Sequence, residues 1–520
     1  MTHTISDQLL AQCSEFVTLR FGLHFPKKRW RDLERGVIRA ARDLGFTDAQ
    51  TCVRRLVTSQ LTKEETEALV CHLTIGETYF FREKKCFEAL QAHIFPALID
   101  SRRGREQRLR VWCAGCSTGE EPYTVAILLH RMIADLAGWN ITILATDINP
   151  VSLRKGAHGE YNDWSFRDTP PWVKEKYFTK NSEGRRVISD AIRKMVTFTP
   201  LNLARDPYPT LASNTNAMDV IFCRNVLMYF APEQIKGVID RFRHSLVDGG
   251  WLIVSPCETS HVLFAGYSTV QLNNTIFYHK DDHQGITHPT DLSQRGEITP
   301  PLIDAAHRIT SLFPSVAGLA RTKPPGLEVT PKSGQSLHVA AVGEDCAEQG
   351  ISLFEEALLS FRRGEYAEAA AKLVGVLSNI PQGEASPVYG ESASLLTQAF
   401  ANQGNLTLAL EWSEKAVAAD RLNPRPYYLQ AIIFQEKGED DAAIVSLKRA
   451  IYLDQGFVLA HFALANLTLR RGKPKEAARH LKNAASLLQA CGDDDMLPGS
   501  EGMSARRLAE IIAATREGLK

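Results

Sequence analysis

The stretch Leu109–Tyr123, LRVWCAGCSTGEEPY, decides how the chain is read. Leu109 to Trp112 is a short buried-strand pattern, Ala114-Gly115-Cys116-Ser117-Thr118-Gly119 is a tight turn of small residues, and from Pro122 the run TVAILLHRMI opens an apolar helix. A strand, a glycine turn and a helix make a nucleotide site. Small residues let the backbone approach a ligand closely, and the helix N-terminus offers unpaired N–H groups. Two carboxylates, Glu120 and Glu121, stand where a pyrophosphate would sit. They repel a dinucleotide but suit a ligand with a free ammonium and a cationic centre, which favours S-adenosylmethionine over NAD.

Outward from this turn, Arg110 to about Lys280 alternates strands with helices, predicting an α/β fold with a mostly parallel sheet covered on both faces. The expected strands are Leu109–Cys113, Ile141–Thr146, Asp219–Cys223, Trp251–Ser255 and Thr275–His279. Ligands on such sheets bind beyond the carboxyl ends of the strands. Asp147 stands at one such end, 28 residues after Gly119, and an acid there can accept both ribose hydroxyls. Asn202 lies in Pro200-Leu201-Asn202-Leu203, and Arg224-Asn225 follow Ile221-Phe222-Cys223. Each alone fits a turn or cap, but their recurrence at neighbouring strand ends marks a site. Between Tyr161 and Val196 the periodicity breaks around Trp164, Pro170, Pro171 and Trp172, predicting an insertion on the sheet.

Residues 1–95 read as a helical domain, with apolar positions recurring at three and four. Arg31, Arg35, Arg39 and Arg42 share one helix face. By themselves they fit either a solvated face, with Asp32 and Glu34 nearby, or a docking surface for an acidic helical partner. The segment Leu73–Glu83, LTIGETYFFRE, closes this region; Thr78 and Arg82 are expected to share a helix face.

The chain's 60 Lys+Arg balance 60 Asp+Glu, so no global charge draws it to nucleic acid or a membrane surface. The ten cysteines form no disulfide framework and imply a reducing cytoplasm. Cys113 and Cys116 form a C-x-x-C that fits a redox pair or half a zinc site, but without a second pair they read as small buried residues of the turn. There is no signal-peptide pattern and no apolar run of membrane-spanning length, so no direct membrane insertion is expected.

Beyond the sheet region, residues 283–345 are rich in Pro, Gly, Ser and Thr and read as a flexible linker, with only Leu302–Leu319 able to form a transient helix. Residues 346–520 form a repeat array. Gly404, Gly438 and Gly472 stand 34 apart, as do Ala409, Ala443 and Ala477, and Ala416, Ala450 and Ala484. That period is the tetratricopeptide (TPR) signature, an all-α solenoid whose groove suits an unknown protein or peptide. Gly364, Tyr366 and Ala369 mark an earlier copy, an insertion near Gly383 to Val388 lengthens the next turn, and Ala505–Leu519 fits a capping helix.

The TIGETYFFRE segment, the AGCSTGEEPY turn, ATDIN, PLNL and IFCRNVLMYF, in this order, resemble the CheR family of chemoreceptor glutamate O-methyltransferases over roughly residues 10 to 282. The resemblance implies an N-terminal helical domain and, over residues 96–282, a Rossmann-like S-adenosylmethionine-dependent methyltransferase domain with a small β-subdomain at about 161–196. It implies methyl transfer to receptor glutamates, leaving S-adenosylhomocysteine. Carried over, Gly76, Thr78, Arg82, Gly115, Glu120, Asp147, Asn202, Leu203, Arg224 and Asn225 would contact the cofactor, with Glu120 neutralising its ammonium ahead of Glu121. Gly76 departs from the Asn of many members, so a side-chain contact there is lost or replaced by backbone. The resemblance also turns Arg31, Arg35, Arg39 and Arg42 into a docking face for the receptor's helical bundle.

A sulfonium methyl is already activated, and a glutamate carboxylate with a reference pKa of about 4.3 is already ionised at neutral pH. No general base is needed. Tyr229, four residues past Asn225, and Arg82 are expected to hold the acceptor carboxylate, with Arg224 able to hold an anion as well. The alternatives are a methyltransferase acting on another protein or a small molecule, and a non-catalytic repeat scaffold.

Overall fold

The computed structural model describes residues 5–281, 343–380 and 387–517. The expected linker falls outside these residues except for its last three positions, and so does most of the insertion expected at 383–388.

The quoted stretch forms strand β1 (Arg108–Ala114), buried at every position, as a strand covered on both faces must be. The other strands are β2 (Asn140–Asp147), β3 (Glu160–Tyr161), β4 (Phe178–Lys180), β5 (Arg186–Ile188), β6 (Val196–Pro200), β7 (Met218–Cys223), β8 (Leu246–Val254), β9 (Ser268–Leu272) and β10 (Thr275–His279). Seven of them make one sheet in the order β6-β2-β1-β7-β8-β10-β9; its first four pairings are parallel and the last two antiparallel. From β1 the chain steps outward through β2 to β6, then returns to lay β7 on the other side of β1. The order reverses between β1 and β7, and a crevice opens at such a switch point. The break in periodicity after Tyr161 corresponds to a separate antiparallel sheet, β3-β5-β4.

Within the seven-stranded sheet two strands escaped the sequence pattern, and a third is longer than expected. β6 ends in Pro200 and lies at the sheet edge, where a missing N–H is tolerated. β9 pairs with β10 through a turn whose two residues, Asn273 and Asn274, both have positive φ (50° and 60°), the chemistry of a tight hairpin. The strand expected at Trp251–Ser255 begins at Leu246 and ends at Val254.

The N-terminal region packs the helices Asp7–Phe21, Trp30–Asp43, Ala49–Thr58 and Lys63–Leu73 around Leu10, Val17, Leu33, Val37, Leu56 and Leu69. Ser6 caps the first, and a Thr62–Glu65 capping box starts the fourth. Leu23 bridges Phe230, and the His24 N–H donates to the Tyr229 carbonyl (2.7 Å), so this region closes over the crevice. Thr78 and Arg82 do not share a helix face. Residues 74–83 are non-helical, Phe81 and Glu83 take the left-handed conformation (φ 60° and 62°), and the next helix starts at Lys84. This backbone sinks Phe80 into an aromatic cluster with Tyr161, Phe166 and Phe178.

The repeats are antiparallel helix pairs: Gly343–Arg362 with Tyr366–Ser378, Pro387–Asn402 with Leu406–Ala419, Pro424–Lys437 with Asp440–Leu453, and Val458–Arg470 with Pro474–Leu488, followed by Ala505–Glu517. Gly364, Gly404, Gly438 and Gly472 each end a first helix with φ between 70° and 79°, where a side chain is strained. The periodic alanines are buried at the helix contacts. Tyr428 and Ile432 from the helix Pro424–Lys437, Phe462 from Val458–Arg470 and Ile511 from the final helix border a cleft of about 320 Å³ opposite Thr197 and Thr199 of β6 and Leu211.

Candidate functional site

The crevice at the β1/β7 switch contains a cavity of about 400 Å³. Its wall gathers Gly76, Thr78 and Arg82 from the segment before Lys84, Gly115 and Glu121 from the opening turn, Asp147 from the end of β2, Asn202 and Leu203 after β6, and Arg224, Asn225 and Tyr229 after β7. Of the residues expected at the cofactor, one is not among them. Glu120 turns away, buried, with its carboxylate taking hydrogen bonds from Thr118 (2.7 Å) and Ser165 (3.0 Å). Glu121, one position on, points inward.

The turn after β1 is shaped by close approach. The Gly115 and Cys116 N–H groups both donate to the Thr146 carbonyl (2.7 and 2.9 Å), folding the chain against the end of β2. Gly115 has φ 78°, and a Cβ there would lie 2.4 Å from Val226. Gly76 stands beside the turn: its carbonyl accepts from the Ser117 hydroxyl (3.1 Å), so backbone occupies this place. Cys113 and Cys116 are buried, and burial holds both thiols well above their usual pKa. No cluster suited to a metal ion occurs among the described residues.

Two charged centres occupy the wall. Asp147 accepts the Ser117 and Asn149 N–H groups, one on each oxygen (2.8 Å each), leaving lone pairs toward the cavity. Burial raises its pKa, and the backbone N–H groups around it oppose the rise. At the second centre Glu121 pairs with Arg224 (2.9 Å), whose other nitrogen meets Glu83 (3.0 Å) and the Arg82 carbonyl (2.6 Å). Burial raises the pKa of Glu121, against the pull of Arg224. Burial works against the charge on Arg224, but surrounding acidic groups, Glu121 and Glu83 among them, hold its pKa above the usual value.

Asn225 has φ 59°, a strained conformation held by Glu258, a residue the sequence did not place at the site. The Glu258 carboxylate accepts the N–H groups of Asn225 and Val226 (2.7 Å each) and the Ser255 hydroxyl (2.6 Å). The Asn225 Oδ1 is buried without a hydrogen-bond partner among the described residues. Tyr229 is half-buried beneath the Arg29 guanidinium, and burial raises the pKa of its phenol. The Arg82 guanidinium donates to the Glu77 carbonyl (2.7 Å). The arginines at 31, 35, 39 and 42 lie exposed on the helix Trp30–Asp43, apart from the cavity wall, and Arg35 pairs with Asp32.

These features fit S-adenosylmethionine. The buried Asn225 oxygen lacks a partner among the described residues, Gly115 lines the cavity with bare backbone, and a carboxylate beside a guanidinium matches the ammonium and carboxylate of an amino-acid end. The class is thus a Rossmann-like methyltransferase. The family described as "CheR methyltransferase, SAM binding domain" matches residues 76–266. The chain is 32% identical over 226 residues to a chemotaxis protein methyltransferase 2 of Vibrio cholerae, covering 44% of this chain and 76% of that protein. It is 34% identical to chemotaxis protein methyltransferase 1 of Pseudomonas aeruginosa (41% and 76%) and 30% identical to the Borreliella burgdorferi enzyme (49% and 89%). The chain belongs to the CheR family of chemotaxis protein methyltransferases and uses S-adenosylmethionine as methyl donor. Among solved structures, a Podosopora anserina putative kinesin light chain with TPR-like repeats is 18% identical over 33% of this chain and 86% of that one, with a TM-score of 0.27. No helix among the described residues is long and apolar enough to cross a membrane.

Proposed function

We propose that this chain esterifies glutamate side chains of methyl-accepting chemotaxis receptors, working in the cytoplasm on the receptors' helical bundle. One observation carries this: a single cavity joins the Asp147 and Glu121–Arg224 centres to Tyr229 and Arg82, which can hold an acceptor carboxylate. When bound, S-adenosylmethionine supplies an electrophilic methyl group. Asp147 receives the ribose hydroxyls. Glu121 takes the ammonium, while Thr78, Asn202, Leu203 and Asn225 line the remainder.

Tyr229 and Arg82 then orient the incoming glutamate and exclude water from it, and orientation of this kind lowers a barrier by up to several kcal/mol. No residue has to accept a proton, because the acceptor is ionised at neutral pH. Arg31, Arg35, Arg39 and Arg42 steer the acidic face of the receptor toward the cavity mouth. The repeats serve protein interaction or regulation. Methyl transfer to receptor fragments, compared between wild type and Tyr229→Phe, tests the assignment: kcat should fall at least tenfold with S-adenosylhomocysteine affinity unchanged. Equal kcat values would remove Tyr229 from the reacting centre.

A further inference from the structure

The last repeat helix reaches the cofactor cavity through one carboxylate. Asp206 Oδ2 accepts the Asn202 N–H (2.7 Å) and, on the same atom, pairs with Arg507 (2.7 Å) from the helix Ala505–Glu517. Asn202 and its neighbours Leu201 and Leu203 line the cavity. The Asn202 side chain is itself spent on structure: its amide donates to the Arg20 carbonyl (3.2 Å) and its Oδ1 accepts the Ala204 N–H (3.0 Å). The shape of this loop, and hence the cavity wall, is therefore set by its hydrogen bonds. Arg507 is mostly buried and is oriented on its other side by Glu510 (2.7 Å).

This contact is part of an extensive seam. Glu436, between Gly404 and Gly472 in the array, pairs with Arg108 at the start of β1 (3.0 Å) and accepts from the Asn216 amide (2.9 Å). Leu211, in the loop that runs from Asn202 to β7, is buried within the core of the repeats. The array thus grips both ends of the Asn202–Asn216 segment, which links two cavity-lining stretches.

We propose that the repeat array acts in cis on the methyl-donor site, with Arg507 a positioning residue that holds the Asn202 loop in its cofactor-binding shape through Asp206. This rests on the assignment of the cavity to S-adenosylmethionine. Coupling between sites is reciprocal, so cofactor binding tightens the array on the catalytic domain, and a partner that pulls the array away weakens cofactor binding.

Calorimetric titration of the full chain with S-adenosylhomocysteine tests it, using Arg507→Met, Asp206→Asn, the double variant and Arg507→Lys. The Kd should rise five- to tenfold in each of the first two, rise no further in the double variant because one relay is broken twice, and recover at least half of the loss in Arg507→Lys. KM for S-adenosylmethionine should follow Kd while kcat stays within twofold. A folded Arg507→Met with wild-type Kd, or single effects that multiply in the double variant, would overturn the relay. An Arg507→Met that does not fold leaves Asp206→Asn and Arg507→Lys to decide on the same criteria: wild-type affinity in Asp206→Asn, or undiminished loss in Arg507→Lys relative to it, overturns the relay. Failure of the cavity assignment is read separately: wild-type chain that binds no S-adenosylhomocysteine, or Asp147→Asn that binds it as the wild type does, overturns that assignment whether or not the relay exists.

Discussion

Glu121 and Arg224 meet in the cavity wall, a carboxylate oxygen 2.9 Å from a guanidinium nitrogen, while Glu120, one residue earlier, is sealed behind the turn by Thr118 and Ser165. A helix places consecutive side chains about 100° apart, so only one of two adjacent acids can face a given ligand. Glu121→Gln should therefore lower affinity for S-adenosylhomocysteine tenfold or more, about 1.4 kcal/mol, whereas Glu120→Gln keeps its hydrogen-bond geometry and stays within about threefold. Isothermal titration of both variants decides, and a larger loss in Glu120→Gln would reverse the assignment.

Gly115 and Gly45 share nearly the same left-handed backbone, φ 78° and 77°, in opposite surroundings. A Cβ on Gly45 meets nothing within 4 Å, but one on Gly115 strikes Val226 at 2.4 Å. Gly45→Ala should cost about 1 kcal/mol for its backbone alone. Gly115→Ala adds overpacking and should cost about 2–4 kcal/mol in denaturant unfolding, with loss of cofactor binding. Equal costs would show that the turn is not packed against Val226 in solution.

The acidity of the site also has a sign. Burial raises the pKa values of Glu121 and Asp147, and both must be ionised to receive an ammonium and hydroxyl donors. Affinity for S-adenosylhomocysteine should then fall as pH drops from neutrality toward the ordinary carboxylate range, before exposed acids of pKa about 4 titrate. Stability responds oppositely. For a carboxyl raised in the folded state, the stabilising contribution is complete below its unfolded pKa and lost as pH rises through the folded value. Acidification through that window should weaken binding without removing this contribution, and Glu121→Gln should flatten the binding profile. A profile unchanged by Glu121→Gln would contradict the role of this carboxylate.

How much of this was legible in the sequence depended on whether the signal was local. Strand, turn and helix in Leu109–Tyr123 follow from neighbouring residues, and the repeat glycines announce themselves by period. Which of Glu120 and Glu121 faces inward depends on the exact start of a helix, which composition does not fix. Glu258 and Asp206 escaped notice because each shapes the site through backbone N–H groups, at positions 225–226 and 202; the Ser255-x-x-Glu258 capping-box spacing marks only a helix start, and the partner of Asp206, Arg507, is distant in sequence. The non-helical course of Thr78–Arg82 was hidden because it requires left-handed Phe81 and Glu83, which only tertiary packing imposes. The pairing of Glu436 with Arg108 spans 328 residues and had no local trace.

The arginine face makes a separable prediction. Arg31, Arg35, Arg39 and Arg42 are exposed and outside the cavity wall, so Arg35→Glu with Arg39→Glu should raise KM for a receptor fragment at least tenfold at low salt. The effect should shrink as salt screens the encounter, and cofactor affinity should not change. Steady-state rates against receptor concentration check it; an unaltered KM would return these residues to the solvated surface.

The central claim is tested most directly by incubating the full chain with tritiated S-adenosylmethionine and the cytoplasmic fragment of a methyl-accepting receptor, then treating the product with mild base. Glutamate esters release the label as volatile methanol, and replacing the receptor's acceptor glutamates with alanine should abolish incorporation. Label that stays base-stable, or that appears equally without acceptor glutamates, would contradict the account.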